Sequence, residues 1–203
     1  IQLSMAGLRL NGDLAYQKSR GHSEEFVLFP DSARGRGTYD LAALAGPPKG
    51  GGHPSAVGSD ASMHWLPYQK TWWSQSMSQP FATYPERPMS AQGRLTYQPG
   101  SLEAKGLLAF DDAELEGNVI RLHAQWLESG KADFRVRAAP DLAWGFQMNR
   151  STAMVDFAQN KGHFELLGGD ATLAFPRNEY EADMNQADWD ILARKISIQK
   201  GSG

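Results

Sequence analysis

Apolar and polar residues alternate through most of the stretch from Ala91 to Ala138. Leu95 and Tyr97 fall on one side, with Arg94, Thr96 and Gln98 on the other. Leu102, Ala104, Leu108 and Phe110 oppose Glu103 and Lys105. Ala113, Leu115 and Val119 oppose Asp112, Glu114, Glu116 and Asn118. Leu122, Ala124 and Trp126 oppose Arg121, His123 and Gln125, and Ala132, Phe134, Val136 and Ala138 oppose Lys131, Asp133, Arg135 and Arg137. A period of two sends successive side chains to opposite faces of a sheet. One dry and one wet face is the antiparallel pattern, because a buried parallel strand reads apolar throughout. Pro99-Gly100, Asp111-Asp112 and Ser129-Gly130 punctuate the run as tight turns. Val119 and Ile120 are adjacent apolar residues, so the phase slips there and predicts a bulge.

The flanks extend the same pattern. Residues 1–17 predict two short strands around Ala6-Gly7, with Asn11-Gly12 as a tight turn. Glu25 to Phe29 reads as a more buried strand ended by Pro30-Asp31. Ala33 to Gly37 (ARGRG) reads as a basic turn, and Thr38 to Ala45 fits either a strand or one or two helical turns. Trp144, Phe146 and Met148 alternate with Gly145 and Gln147; Tyr180, Ala182 and Met184 alternate with Glu179, Glu181 and Asp183. Asp188 to Lys195 fits two helical turns, and Ile196 and Ile198 close the chain as a last strand. Gly46 to Ser62 (GPPKGGGHPSAVGSDAS) is rich in Gly, Pro and Ser and reads as a long loop. A loop of that length is usually functional or disordered.

These elements predict a single all-β domain over residues 1–200 with few or no helices. Hairpin follows hairpin without long crossovers, which favours a meander. A dry face needs a cover, so the antiparallel sheet is expected to curl into a barrel or an open β-sandwich. Residues 201–203 (Gly-Ser-Gly) are set aside as a tail. The start at Ile1, without an initiator methionine, reads as a piece of a longer polypeptide or a processed form.

Composition narrows the chemistry. The 203 residues suffice for a core without covalent staples. There is no cysteine, which removes disulfides and thiolate metal sites without fixing the compartment. Twenty basic and 23 acidic residues give a net charge of −3, evenly spread, so nucleic acid is not an expected partner. No stretch offers the ~20-residue apolar run of a transmembrane helix. No phosphate-binding loop, nucleophile elbow or dinucleotide fingerprint is present.

The segment from Met63 to Tyr84 holds three of the six tryptophans. His64, Trp65, Tyr68, Trp72 and Trp73, together with Trp126, are the candidate ligand-binding residues, because exposed rings form stacking platforms or lids. The competing reading is that these rings fill one end of the core. Adjacent residues on a strand face opposite ways, so Trp72 and Trp73 are expected to divide between the two. The five histidines show no i, i+2 or i, i+4 pair, and no metal or cofactor is expected. Asp112, Glu114 and Glu116 share a strand face, which suits calcium or acid/base work less well than a solvated face. Arg34-Gly35-Arg36-Gly37 offers guanidinium and backbone N–H groups to an anion.

The run LEAKGLLAFDDAELEGNVIRLHAQW resembles the sheets of bacterial envelope proteins of the AsmA type. GLLAFDDAE is similar to the Asp-His region of lipocalin-like hydratases and cyclases, with Asp112 where those enzymes carry histidine and without their tryptophan. These are likenesses of pattern, and the chain is assigned to neither family. Three functions are weighed. The first is a binding or scaffold module, periplasmic or extracellular, that holds a hydrophobic small molecule or lipid in an apolar concave β surface. The second is a lipocalin-like cyclase, hydratase or isomerase that works by holding an apolar substrate in a reactive shape. The third is a structural subunit of a larger assembly.

Overall fold

The structure, a computed structural model, describes residues 8–46, 51–87, 89–137 and 143–201. They form one antiparallel sheet. Its strands are β1 (Leu8–Tyr16), β2 (Ser19–Leu28), β3 (Ala33–Leu41), β4 (Ala56–Leu66), β5 (Thr71–Ser76), β6 (Phe81–Thr83), β7 (Met89–Gln98) and β8 (Ser101–Phe110). There follow β9 (Ala113–Leu122), β10 (Trp126–Arg137), β11 (Trp144–Asp156), β12 (Lys161–Leu166), β13 (Thr172–Phe175), β14 (Tyr180–Glu181), β15 (Gln186–Asp190) and β16 (Lys195–Gln199). Two single 3-10 turns, Pro67–Gln69 and Pro176–Asn178, are the helical content among the described residues. The order across the sheet is the order along the chain, apart from short β6, β13 and β14 at the margins. This is the all-β meander that the alternation predicts.

Tight turns produce that order. Gln17, with φ 53°, turns β1 into β2, and Asp111, with φ 49°, turns β8 into β9. Asn and Asp tolerate this left-handed region better than most side chains. The alternating residues sort as expected: Leu95, Tyr97, Leu102, Ala104, Leu108, Phe110, Ala113, Leu115, Phe134, Phe146 and Met148 are buried. The predicted bulge lies at Asn118-Val119, two residues of β9 that sit against Lys105 alone. It turns Val119 outward and Ile120 inward.

The sheet curls about its dry face, and side chains fill the interior. In the first half, Tyr39 packs against Trp72 and Phe81, with centroids 6.0 and 5.9 Å away. Tyr97 Oη donates to Gln17 Oε1 at 3.2 Å, across from β7 to the β1–β2 turn. In the second half, Phe134 stacks on Phe164 at 3.7 Å and meets Trp189 at 5.4 Å. Phe110 of β8 also reaches Trp189 of β15, at 6.0 Å. Tyr84 joins the halves: its hydroxyl lies 2.7 Å from the His123 carbonyl and 3.1 Å from that of Trp126. One contiguous core results. Among the described residues β1 pairs only with β2 and β16 only with β15, so both present a free edge.

Several local expectations are corrected. Asn11-Gly12 is not a turn but an irregularity inside β1, where the register shifts between Leu10 and Gly12. ARGRG is not a turn either. It opens β3, and Gly35 lies beneath the Phe26 ring, where a Cβ would stand 2.5 Å from Cδ1. The long loop is shorter than its composition suggests. Leu44 bridges to His53, β4 begins at Ala56, and His53 and Ala56 are wholly buried. Gly58 lies under Phe81 as Gly35 lies under Phe26. Small residues that read as linker are here the clearance for aromatic rings.

Ser129-Gly130 is not a turn but a bulge within β10; the turn lies at residues 123–125. Trp126 therefore leaves the dry face, and Leu127 takes that place with no exposure. Asp188 to Lys195 is not helical: Asp188–Asp190 belongs to β15, and residues 191–194 form the turn to β16. Only Tyr180 and Glu181 of the Glu179–Met184 alternation are in a strand. The expectations placed on Ala6-Gly7, Pro47 to Gly50, Ala138 and Ser202-Gly203 lie outside the described residues.

Candidate functional site

The singled-out aromatic residues divide between the two faces. Trp65 and Trp72 are directly opposed on β4 and β5 and point to the dry side. Trp72 is fully buried, and its Nε1 donates to Ser74 Oγ at 3.1 Å. Trp65 is half-buried beside Tyr16, with centroids 5.8 Å apart, and its Nε1 is enclosed without a partner among the described residues. His64 and Trp73 are opposed on the wet side and meet edge to face at 4.8 Å. Burial, then the charge of Arg34, holds His64 below its usual pKa. Tyr68 is 82 % exposed on the turn between β4 and β5. Trp126 stacks on His123, with centroids 3.7 Å apart and planes within 8°.

Of the openings in the surface, two bear on binding. The larger, about 850 Å³, is a trough on the wet face of β8 to β12. It lies over Gly106, Gly117 and Gly130, beside the bulges at Asn118-Val119 and Ser129-Gly130, with Lys105, Glu116, Asp133 and Met154 around it. Charges of both signs alternate along it, so it has no polarity of its own.

The second is a cleft of about 560 Å³ at the end of the curled second half. Strand β10 contributes Val136, β11 contributes Phe146, β13 contributes Phe175, and β15 to β16 contribute Trp189, Ile191 and Ile196. Its floor is thus apolar, set by residues of five strands and the β15–β16 turn. Its rim is charged: Arg87, Asp111, Asp112, Arg137 and Arg194 line the same cleft. Arg194 pairs with Asp112, and Arg137 approaches Glu114 at 3.6 Å while lying 4.0 Å over Trp144. Arg87 donates to Asn160, lies 5.5 Å from the Phe157 ring, and approaches Asp111 at 3.8 Å. Its Nη1 is enclosed and has no hydrogen-bond partner among the described residues. An enclosed guanidinium N–H without a partner calls for an explanation.

The remaining sequence candidates resolve into structure. Asp112 and Glu114 of the acidic face are taken by Arg194 and by Arg135 and Arg137. Arg36 makes a two-pronged pair with Asp60, at 2.7 and 2.9 Å, instead of presenting an open anion cradle. Arg36 and the Ser78 hydroxyl hold the Asp60 carboxyl well below the usual carboxylate range. His163 and His22 each face an aspartate at 2.7 Å on the surface. Among the described residues, no three or more His, Asp or Glu side chains converge as metal ligands.

Apart from Asp112, the cleft residues were not singled out in the sequence as site candidates. Trp189 and Ile191 sit in a stretch whose pattern fits a helix, and Arg87 precedes a proline in a short polar run. Nothing local marks them, because they meet only through the curl. No protein-family model, curated protein or solved structure matches the chain.

Proposed function

We propose that this protein is a binding module that holds a small amphiphile, an apolar body with an anionic head, in the cleft between β10, β11, β13 and the β15–β16 turn. One observation carries the reading: an apolar floor of Val136, Phe146, Phe175, Trp189 and Ile196 beneath a rim that includes Arg87, whose enclosed Nη1 lacks a partner among the described residues. Pockets for small molecules are mostly apolar, with a few placed polar groups that fix orientation. A carboxylate or phosphate accepting from Arg87 would satisfy the orphan N–H, and charge-assisted bonds of this kind are the strong ones. The volume suits one acyl chain or a compact polycyclic body.

Native mass spectrometry of protein purified without detergent tests this. A reproducible added mass that Val136→Trp abolishes is expected, since an indole at that position fills the cleft. A bare mass that stays bare after incubation with a lipid extract would sink the proposal.

A further inference from the structure

The wet face of β3 to β8 carries a feature independent of the cleft. Most arginines of the wet face reach carboxylates: Arg9 pairs with Glu25, Arg36 with Asp60, Arg121 with Glu103 and Arg135 with Glu114. Among the described residues Arg20, Arg34 and Arg94 do not, and Arg34 and Arg94 differ from Arg20 in their surroundings. Each of these two is held against a ring. Arg94 lies 4.7 Å over Trp73. Arg34 lies 5.6 Å over Phe29, and its Nε donates to His64 Nε2 at 3.3 Å. Lys105 stands directly opposite Arg94 in the β7–β8 register and reaches no carboxylate either. Like charges directly opposed across two strands are destabilising. Folding alone gives no reason for this arrangement.

We infer that this face docks on an anionic lipid surface. The indole face of Trp73 is occupied by Arg94, which leaves the guanidinium edge, rather than the ring, for a partner. A sugar that binds by stacking meets the guanidinium in place of that indole face, and phosphate oxygens suit a guanidinium edge. Arg34 on β3, with Arg94 and Lys105 on adjacent β7 and β8, spreads charge across the face, as a headgroup layer does. Tyr68 extends the face at its margin, 82 % exposed on the turn two residues beyond the strand that bears His64. An amphipathic ring in that position belongs at a membrane–water boundary. The inference complements the lipid-binding reading of the cleft, but the residues do not overlap, so each fails by its own measurement.

Flotation of the full chain with vesicles tests it. Binding is expected to phosphatidylcholine mixed with phosphatidylserine, not to phosphatidylcholine alone, and is expected to fall as salt rises. The double variant Arg34→Gln, Arg94→Gln should lower partitioning about 25-fold, roughly fivefold per arginine, while melting as the wild type does. Tyr68→Ser should weaken it further, and Lys195→Gln, on the remote edge strand β16, should leave it unchanged. Equal binding to both vesicles, or a double variant that floats as well as the wild type, overturns the inference. So does retention on heparin without flotation, which would assign the face to a soluble polyanion. The native mass spectrum reads the cleft without any membrane, so a failed flotation leaves the cleft reading standing.

Discussion

Trp72 and Trp73 are neighbours in the chain and opposites in the fold. Strand parity buries one and leaves the other half-exposed under Arg94. Trp72→Ala should cost about 3–5 kcal/mol in urea unfolding, whereas Trp73→Ala should stay within about 1 kcal/mol; similar losses at both positions would overturn the assignment of faces. This division was legible in the sequence, because alternation alone requires it. His53 was not legible, since Gly and Pro on either side give it the look of a loop residue. It is wholly buried against Tyr97, its ring 5.3 Å away, and its Nδ1–H donates to the Pro54 carbonyl at 2.9 Å. Burial pushes its pKa down. The unfolded chain then binds the proton more tightly than the folded one, so this stability is complete above the unfolded value, about 6.5, and is lost as pH falls towards the folded value. The urea midpoint should therefore drop between about pH 7 and about pH 5, and His53→Gln should flatten that drop. An equally steep drop in the variant would remove His53 from the account.

At the scale of elements, the bulge in β9 was readable to within a residue because two adjacent apolar side chains cannot share one face. The ARGRG strand was misread for an equally physical reason: glycine marks turns, but it also makes room under a ring, and only the position of Phe26 decides between the two. Gly106 makes a different demand. Its φ is 129°, and a Cβ there would stand 2.2 Å from the Gln92 carbonyl oxygen of the neighbouring strand. Gly106→Ala should destabilise the protein by about 1–3 kcal/mol. At Gly130 a Cβ would meet nothing within 4 Å, so Gly130→Ala should change stability by no more than about 0.5 kcal/mol. Thermal melts of the two variants side by side decide this, and matching melts would show that the β7–β8 pair accommodates a side chain. The Asp188–Lys195 stretch was misread because a short strand and the turn after it spread apolar residues at helical spacing, and pairing with β12 overrides that local pattern.

For the whole molecule, the meander and the need for a curl were legible, and the partners that the curl brings together were not. Hairpins are local, and the alternation that specifies them lies within a few residues. The cleft brings together residues from Arg87 to Ile196, and which strand faces which across the interior depends on accumulated twist and on contacts such as Phe110 to Trp189. No window of sequence contains that information. The wet-face patch lay between these cases. His64 and Trp73 were marked by residue type, but their partners Arg34 and Arg94 follow from register.

The strand order along the chain also sets how this protein bears load. Among the described residues β1 and β16 are the two free edges and nearly every strand pairs with its sequence neighbour, so traction on the two ends opens hairpins from the outside inward, like drawing a seam. Each step breaks a few hydrogen bonds in succession, not a whole ladder in shear. Held between tethers at its ends, the chain should give way in small, regularly spaced extensions at low force, with the firmest step where Trp189 leaves Phe110 and Phe134. One abrupt rupture in an optical trap would show instead that the curled core yields as a single body.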